Sequence, residues 1–201
     1  MSISQEFDRL FTILQHKKFL NMEGLGNEVP FFVHAYDIKH QNEVYPAIHR
    51  LRKRLSVEAG VRTELVGLYD MVLEIIQESH DLEDMFQYEA EATKTELMDT
   101  FNSLVNPEEI QKYFAGKTGV DSYDIIMIHQ IGEVYPYLRT HDLLNQLQST
   151  ITTMPLVVFF PGEYVMSKEF GFNLNLFGRL PGPYYRAFRL DDYFARGGID
   201  G

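Results

Sequence analysis

Asp124-Ile-Ile-Met-Ile-His129 is a short apolar run that halts at Gly132-Glu133, and a polar stretch with helical spacing follows, Tyr135-Pro-Tyr-Leu-Arg-Thr-His-Asp-Leu-Leu-Asn-Gln-Leu-Gln148. A second apolar run, Pro155-Leu-Val-Val-Phe-Phe160, then stops at Pro161-Gly162-Glu163-Tyr164. Strand, loop, helix, strand is the order of a parallel α/β sheet, and ligands of such sheets bind where strands give way to loops. This stretch therefore sets both the fold class and the edge where function is sought.

Working outward, Ile3, Phe7, Leu10, Phe11 and Leu14 share one helical face and predict a helix over about Ser4 to His16. The glycine-bearing loop Asn21 to Glu28 leads to a strand over Val29 to Tyr36, with Pro30 at its start. A helix over about Val44 to Glu58 follows, closed by Gly60, and then a strand over Val61 to Leu68. Asp70 is expected to cap a helix over Met71 to Glu78. Thr93-Lys-Thr-Glu96 is a capping box, and Asn106-Pro-Glu-Glu109 opens another helix, ended by Gly116 and Gly119. Phe172 to Phe177 alternates like a half-exposed strand, and Tyr184 to Leu190 reads as its hairpin partner. The expectation is one α/β domain over 1–201: a central, mostly parallel sheet of four to five strands flanked by helices. It carries a helical insert at about 70–119, a C-terminal edge hairpin and a frayed tail from 191.

Composition narrows the function classes. The chain has 201 residues, 45% hydrophobic and 23% charged, which is ordinary for a globular protein with a sizeable core. The net charge of −11 argues against broad, non-specific DNA binding, which needs many cations to neutralise phosphates. Cysteine is absent, so disulfides and thiolate metal sites are excluded, in keeping with a reducing cytoplasm. No apolar run reaches the ~20 residues of a membrane span, and the mixed charges at the start do not read as a secretory leader.

The layout is P-loop-like but degenerate. A phosphate loop needs glycines after a strand, then Lys and Ser or Thr entering a helix; Asp37-Ile-Lys-His-Gln-Asn-Glu-Val44 has neither. His129 and Gln130 stand where a magnesium-binding acid would end a strand. No nucleotide, metal or other cofactor is therefore expected. The seven histidines include no His-Glu-x-x-His pair, although His34 and His129 are expected to be sheet neighbours.

Glu133, Arg139, His141, Asp70 and Glu163 fall near the predicted C-terminal edge of the strands. Glu133, Arg139 and His141 could serve acid–base work in a small hydrolase or transferase. Helix-capping by Asp70 and Thr140 is the plainer explanation. The basic face His49, Arg50, Arg52, Lys53 and Arg54 leaves local DNA contact open, without aromatic residues for base stacking. The C-terminal third concentrates Tyr, Phe and Arg, the usual anchors of protein interfaces. Together with Glu133, Tyr135, Arg139 and His141, the candidate partner-binding residues there are Arg179, Tyr185, Arg186 and Arg189.

Phe19 to Phe32, Gly132 to His141 with Leu143 to Gln148, Pro155 to Tyr164, Leu176 to Leu180 and Tyr184 to Phe188 form five collinear motifs. In that order they resemble the BrxB family of bacteriophage exclusion (BREX) systems, from about Phe7 to Leu190. The resemblance implies a small companion in a multi-gene phage defence. Such systems also contain a DNA methyltransferase, a large ATPase and a PglZ-type phosphatase-like protein. It offers no catalytic residues to carry over, and so implies a non-enzymatic, cytoplasmic adaptor whose partners are the PglZ-type protein and other BREX components.

Overall fold

A computed structural model of the chain describes residues 2–25, 28–79, 82–117, 123–167, 171–184 and 187–193. Helix α1 (Ile3–Leu14) is opened by a reciprocal cap between Ser2 and Gln5. A short helix α2 (Lys17–Leu20) precedes strand β1 (Phe31–Tyr36), and a 3₁₀ turn (Ile38–His40) leads into α3 (Gln41–Ala59). Gly60 ends α3 at φ 66°, a left-handed conformation that costs glycine nothing. Strand β2 (Thr63–Gly67) runs directly into α4 (Leu68–Ser79), followed by α5 (Leu82–Glu91), α6 (Lys94–Leu104) and α7 (Pro107–Lys117). The predicted starts hold: Thr93 and Glu96 cap each other, and Asn106 Oδ1 accepts the N–H groups of Glu108 and Glu109. Strand β3 (Ile125–His129), α8 (Thr140–Leu147), β4 (Leu156–Ser167), β5 (Gly171–Leu176), β6 (Leu180–Tyr184), β7 (Phe188–Arg189) and α9 (Leu190–Tyr193) complete the order.

The strands run β2-β3-β4-β1-β7, all parallel. Their C-terminal ends align: Tyr36 faces Pro161 across one ladder and Gly67 faces His129 across another. Strand β4 is 12 residues long and outlasts its parallel neighbours. Beyond Pro161 it pairs antiparallel with β5, which pairs with β6.

Both faces of the parallel sheet are covered, so its strands read as unbroken apolar runs. On one face Phe32, Ile125, Met127, Val157 and Phe159 pack under α1 and α3 through Phe7, Leu10 and Leu51. On the other, Phe31, Val33, Ile126, Ile128 and Val158 pack under α4, α7 and α8 through Val72, Ile75, Phe114 and Leu144. Burying a side chain such as Phe159, fully enclosed and stacked on Phe7, contributes roughly 2–3 kcal/mol.

Several expectations need correction. The parallel sheet has five strands, within the expected four to five, but the antiparallel pair extends β4 instead of capping an outer edge. The hairpin partner is β6, upstream of the predicted segment; Phe188 and Arg189 add in parallel to β1. Prolines 181 and 183 are tolerated in β6 because it pairs on one side only. His34 and His129 are not neighbours, since β4 lies between their strands. Gly116 sits inside α7 instead of ending it, and Gly119 and the tail from 194 lie outside the described residues. The segment 131–137 is a run of turns, so the helix predicted from Tyr135 begins only at Thr140.

Candidate functional site

The C-terminal ends of β1 and β3 meet the start of α3, and there the polar side chains converge. The first connection, through α3, crosses one face of the sheet; those through α4–α7 and α8 cross the other. Such a reversal is where open α/β sheets place ligands. Gln41 and Tyr45, one helical turn apart on α3, both reach Glu133 in the turn after β3. Tyr45 donates its hydroxyl to Glu133 Oε1 at 2.5 Å, and Gln41 Nε2 donates to the same oxygen at 3.2 Å. Glu133 Oε2 is buried and accepts no hydrogen bond, and the carboxylate makes no ion pair with a described residue. Burial and the Glu133 bond push the Tyr45 hydroxyl far above the ordinary phenol range, so it remains a donor. Burial also raises Tyr36, whose hydroxyl lies in the same cluster.

His129 ends β3 beneath this cluster. Its ring meets Tyr45 and His49 edge-on, at 5.2 and 5.6 Å between centroids. Burial, and secondly the neighbouring His49, push it down to about 4, so it is neutral at pH 7. On the same sheet face, across Phe159, buried His34 places Nε2 3.2 Å from Glu6 Oε1 and holds that carboxyl below its ordinary range.

The start of α4 is closed by a neighbour. Gln130 Oε1 accepts the N–H groups of Tyr69 and Asp70 at 3.1 and 3.2 Å, and its Nε2 donates to Asp70 Oδ2. Asp70 is therefore not the cap; it lies in the first turn and helps orient the side chain that is. A Cβ on Gly67 would stand 2.3 Å from Gln130 Oε1, so this cap requires glycine at the end of β2. Free N–H groups at a helix start can bind a phosphate. Here an amide oxygen takes them.

Among the five acid–base candidates, Glu133 forms no ion pair with Arg139; Tyr45 and Gln41 hold it instead. Arg139 is the exposed N-cap of α8, and Thr140 sits buried in its first turn without capping it. His141 Nε2 lies 2.8 Å from the Asn145 amide nitrogen. Glu163 is exposed on β4 opposite Asn175. The proposed partner surface is likewise divided. Arg189, on β7, stands three strand spacings from β3, roughly 14 Å, and turns to Asp191 at 3.6 Å. Arg179 is exposed in the β5–β6 turn and Tyr135 is 36% exposed; Tyr185 and Arg186 lie outside the described residues. On α3, Arg54 bridges Asp8 and Glu58 and covers the Phe11 ring, and Arg52 donates to Thr63 O. That leaves Arg50 and Lys53 as its cations with neither an ion pair nor a hydrogen bond to a described residue.

Beside Glu133 opens a groove of about 520 Å³, walled by α4, α5 and α6 and floored by the turn after β3. Leu73, Met85, Phe86, Met98, Phe101 and Tyr137 supply most of its apolar surface, and Glu133, Glu89 and Lys94 also line it. Phe101 stacks on Tyr137 at 4.9 Å, joining the helical insert to the turn that carries Glu133. Sequence reading missed Tyr36, Gln41, Tyr45 and this groove. The apolar residues of 82–104 were the available signal, at helical spacing in a segment otherwise acidic. Among the described residues, no group of three or more His, Asp or Glu is placed to hold a metal, and no helix is long and apolar enough to cross a membrane.

Fold and site together define an α/β sandwich in which Gln130 closes the start of α4 and a mostly apolar groove opens beside Glu133. Residues 64–190 match the model of the family "BREX protein BrxB". The chain is 29% identical to the BREX protein BrxB of Bacillus cereus (strain H3081.97), over 94% of this chain and 98% of that one. It is 26% identical to the BREX protein BrxB of Escherichia coli O9:H4 (strain HS), over 88% and 86%. No solved structure matches it. The chain belongs to the BrxB family of BREX phage-defence proteins.

Proposed function

We propose that the chain is a non-enzymatic adaptor within a BREX complex, docking a larger component such as a PglZ-type phosphatase-like protein. The observation that carries this reading is the open apolar groove beside a strand edge whose polar groups are engaged with one another. A hydrolase needs a base and a nucleophile or water held within hydrogen-bond reach. Of the candidates for that role, Glu133 and His141 are bonded to different neighbours, and Arg139 is the exposed N-cap of α8. An exposed apolar surface of this kind is characteristic of protein–protein contact. Family membership supplies the setting, since other BREX components are the natural partners.

The test is affinity purification of the tagged chain from cells carrying the complete defence system, in parallel with phage plating. Stoichiometric recovery of the PglZ-type protein is expected. Full protection with no system component bound would overturn the adaptor reading. Loss of protection in a folded Glu133→Gln variant whose complexes remain intact would make the enzyme reading the better one.

A further inference from the structure

The helices α5 and α6 bury no residue at all, although Leu82, Met85, Phe86, Leu97, Met98 and Phe101 lie along them. Phe86 is 52% exposed. Isolated helices of 10 or 11 residues are marginal in water; packing of an apolar face supplies most helix stability. These two have such a face and only part of a surface to pack it on. Residues 68–104 also carry ten acidic side chains and one basic one, Lys94, a net of −9 in a chain whose total is −11. The negative charge of the molecule is thus concentrated on the helices that wall the groove. At its floor, Glu133 is part-buried, and among the described residues its Oε2 has no hydrogen-bond partner and its carboxylate no ion pair, although Lys94 lines the same groove.

Resting on the adaptor reading for its biological partner, we infer that this groove receives a basic amphipathic helix from the partner protein. Its apolar stripe lies against Phe86, Met98 and Phe101, and one Lys or Arg comes against Glu133. The occupant is a helix because the walls are three helices whose apolar residues recur at three- and four-residue spacing, the ridges into which a fourth helix packs. It is basic because an acidic surround attracts cations at a distance and a part-buried carboxylate rewards one at contact. Methionines at 85 and 98 suit the surface to this role, since their unbranched side chains adapt to the guest.

The probes are three synthetic 18-residue peptides, titrated by fluorescence anisotropy against the full chain. One has a leucine stripe with a lysine polar face, one the same stripe with glutamates, and one the lysine composition scrambled so that no stripe forms. The lysine amphipath should bind saturably, at least tenfold tighter than either other peptide. Phe86→Asp and Met98→Glu, each checked for folding by circular dichroism, should abolish its binding. Glu133→Gln keeps the acceptor for Tyr45 but loses the charge, and should weaken it about tenfold. Equal affinity for the scrambled peptide, or binding unchanged in a folded groove variant, overturns the inference. So does self-association of the chain that Phe86→Asp abolishes, since the groove would then hold a second copy. Peptide binding that behaves as expected, with no system component co-purifying, overturns the choice of partner and leaves the groove assignment standing. Co-purification that survives Phe86→Asp does the reverse.

Discussion

Lowering the pH tests the burial of His129. The imidazole is 4% exposed, its Nδ1 is buried without a partner, and its value falls from 6.5 to about 4. The folded chain then binds fewer protons than the unfolded chain between those values. Stability therefore falls as pH drops through 6.5 and stops falling from this cause below about 4. Integrated between pH 7.5 and 5.5, the loss is roughly 1 kcal/mol. The lower pH remains above the isoelectric point of about 5.0, where association would obscure the measurement. Glu6 and Asp124, both held below the ordinary carboxylate range, lose their contribution only at lower pH and do not confuse this window. Urea unfolding of the parent and of His129→Phe at the two pH values isolates the effect, because phenylalanine keeps an aromatic ring near Tyr45 and His49. The parent should lose roughly 1 kcal/mol more than the variant. Losses that agree within roughly 0.5 kcal/mol, the scatter of such comparisons, would refute the reading of His129 as a buried neutral ring.

Tyr45→Phe removes the closest donor to Glu133 and should cost about 1.5–3 kcal/mol in urea unfolding, the range for hydrogen bonds to charged groups. Gln130→Ala frees two N–H groups at the start of α4 and should lower stability by roughly 1–2 kcal/mol, read as a drop in Tm. Gly24 stands at φ +83° with open space around it, so Gly24→Val carries a backbone cost alone, about 1–3 kcal/mol. By contrast, Gly116→Ala in α7, also with room for a methyl group, should stabilise by roughly 0.5–1 kcal/mol. ATP or GTP with magnesium should leave Tm unchanged; a ligand at 100 times its Kd would add about 2.7 kcal/mol.

The parallel strands were legible because burial on both faces leaves unbroken apolar runs such as 125–129 and 156–160. Helix starts were legible where the cap lies within three residues, as at Thr93 and Asn106. They were not where the cap comes from afar. Gln130 closes α4 from 60 residues downstream, and no local pattern announces it. Strand order is equally non-local, which is why His34 and His129 were misjudged as neighbours. The polar cluster went unread for the same reason. Tyr45 lies 88 residues from Glu133, and each residue alone is unremarkable. The β6 strand was missed because two prolines argue against a strand unless its outer edge is known to be free.

The same two long-range contacts hold the floor of the groove in place. Gln130 takes the N–H groups at the head of α4, and Tyr45 with Gln41 fixes Glu133 from the α3 side. The turn between these anchors is therefore held at both flanks. Tyr137 stacks from that turn onto Phe101, so a rigid sheet edge sets the position of α6. A guest pressing on α5 and α6 meets a floor built on the sheet and, in those two helices, walls that bury no residue. The N–H groups at the head of α4 are thus taken from within the chain, and the groove beside them is mostly apolar, with Glu89, Lys94 and Glu133 in its lining.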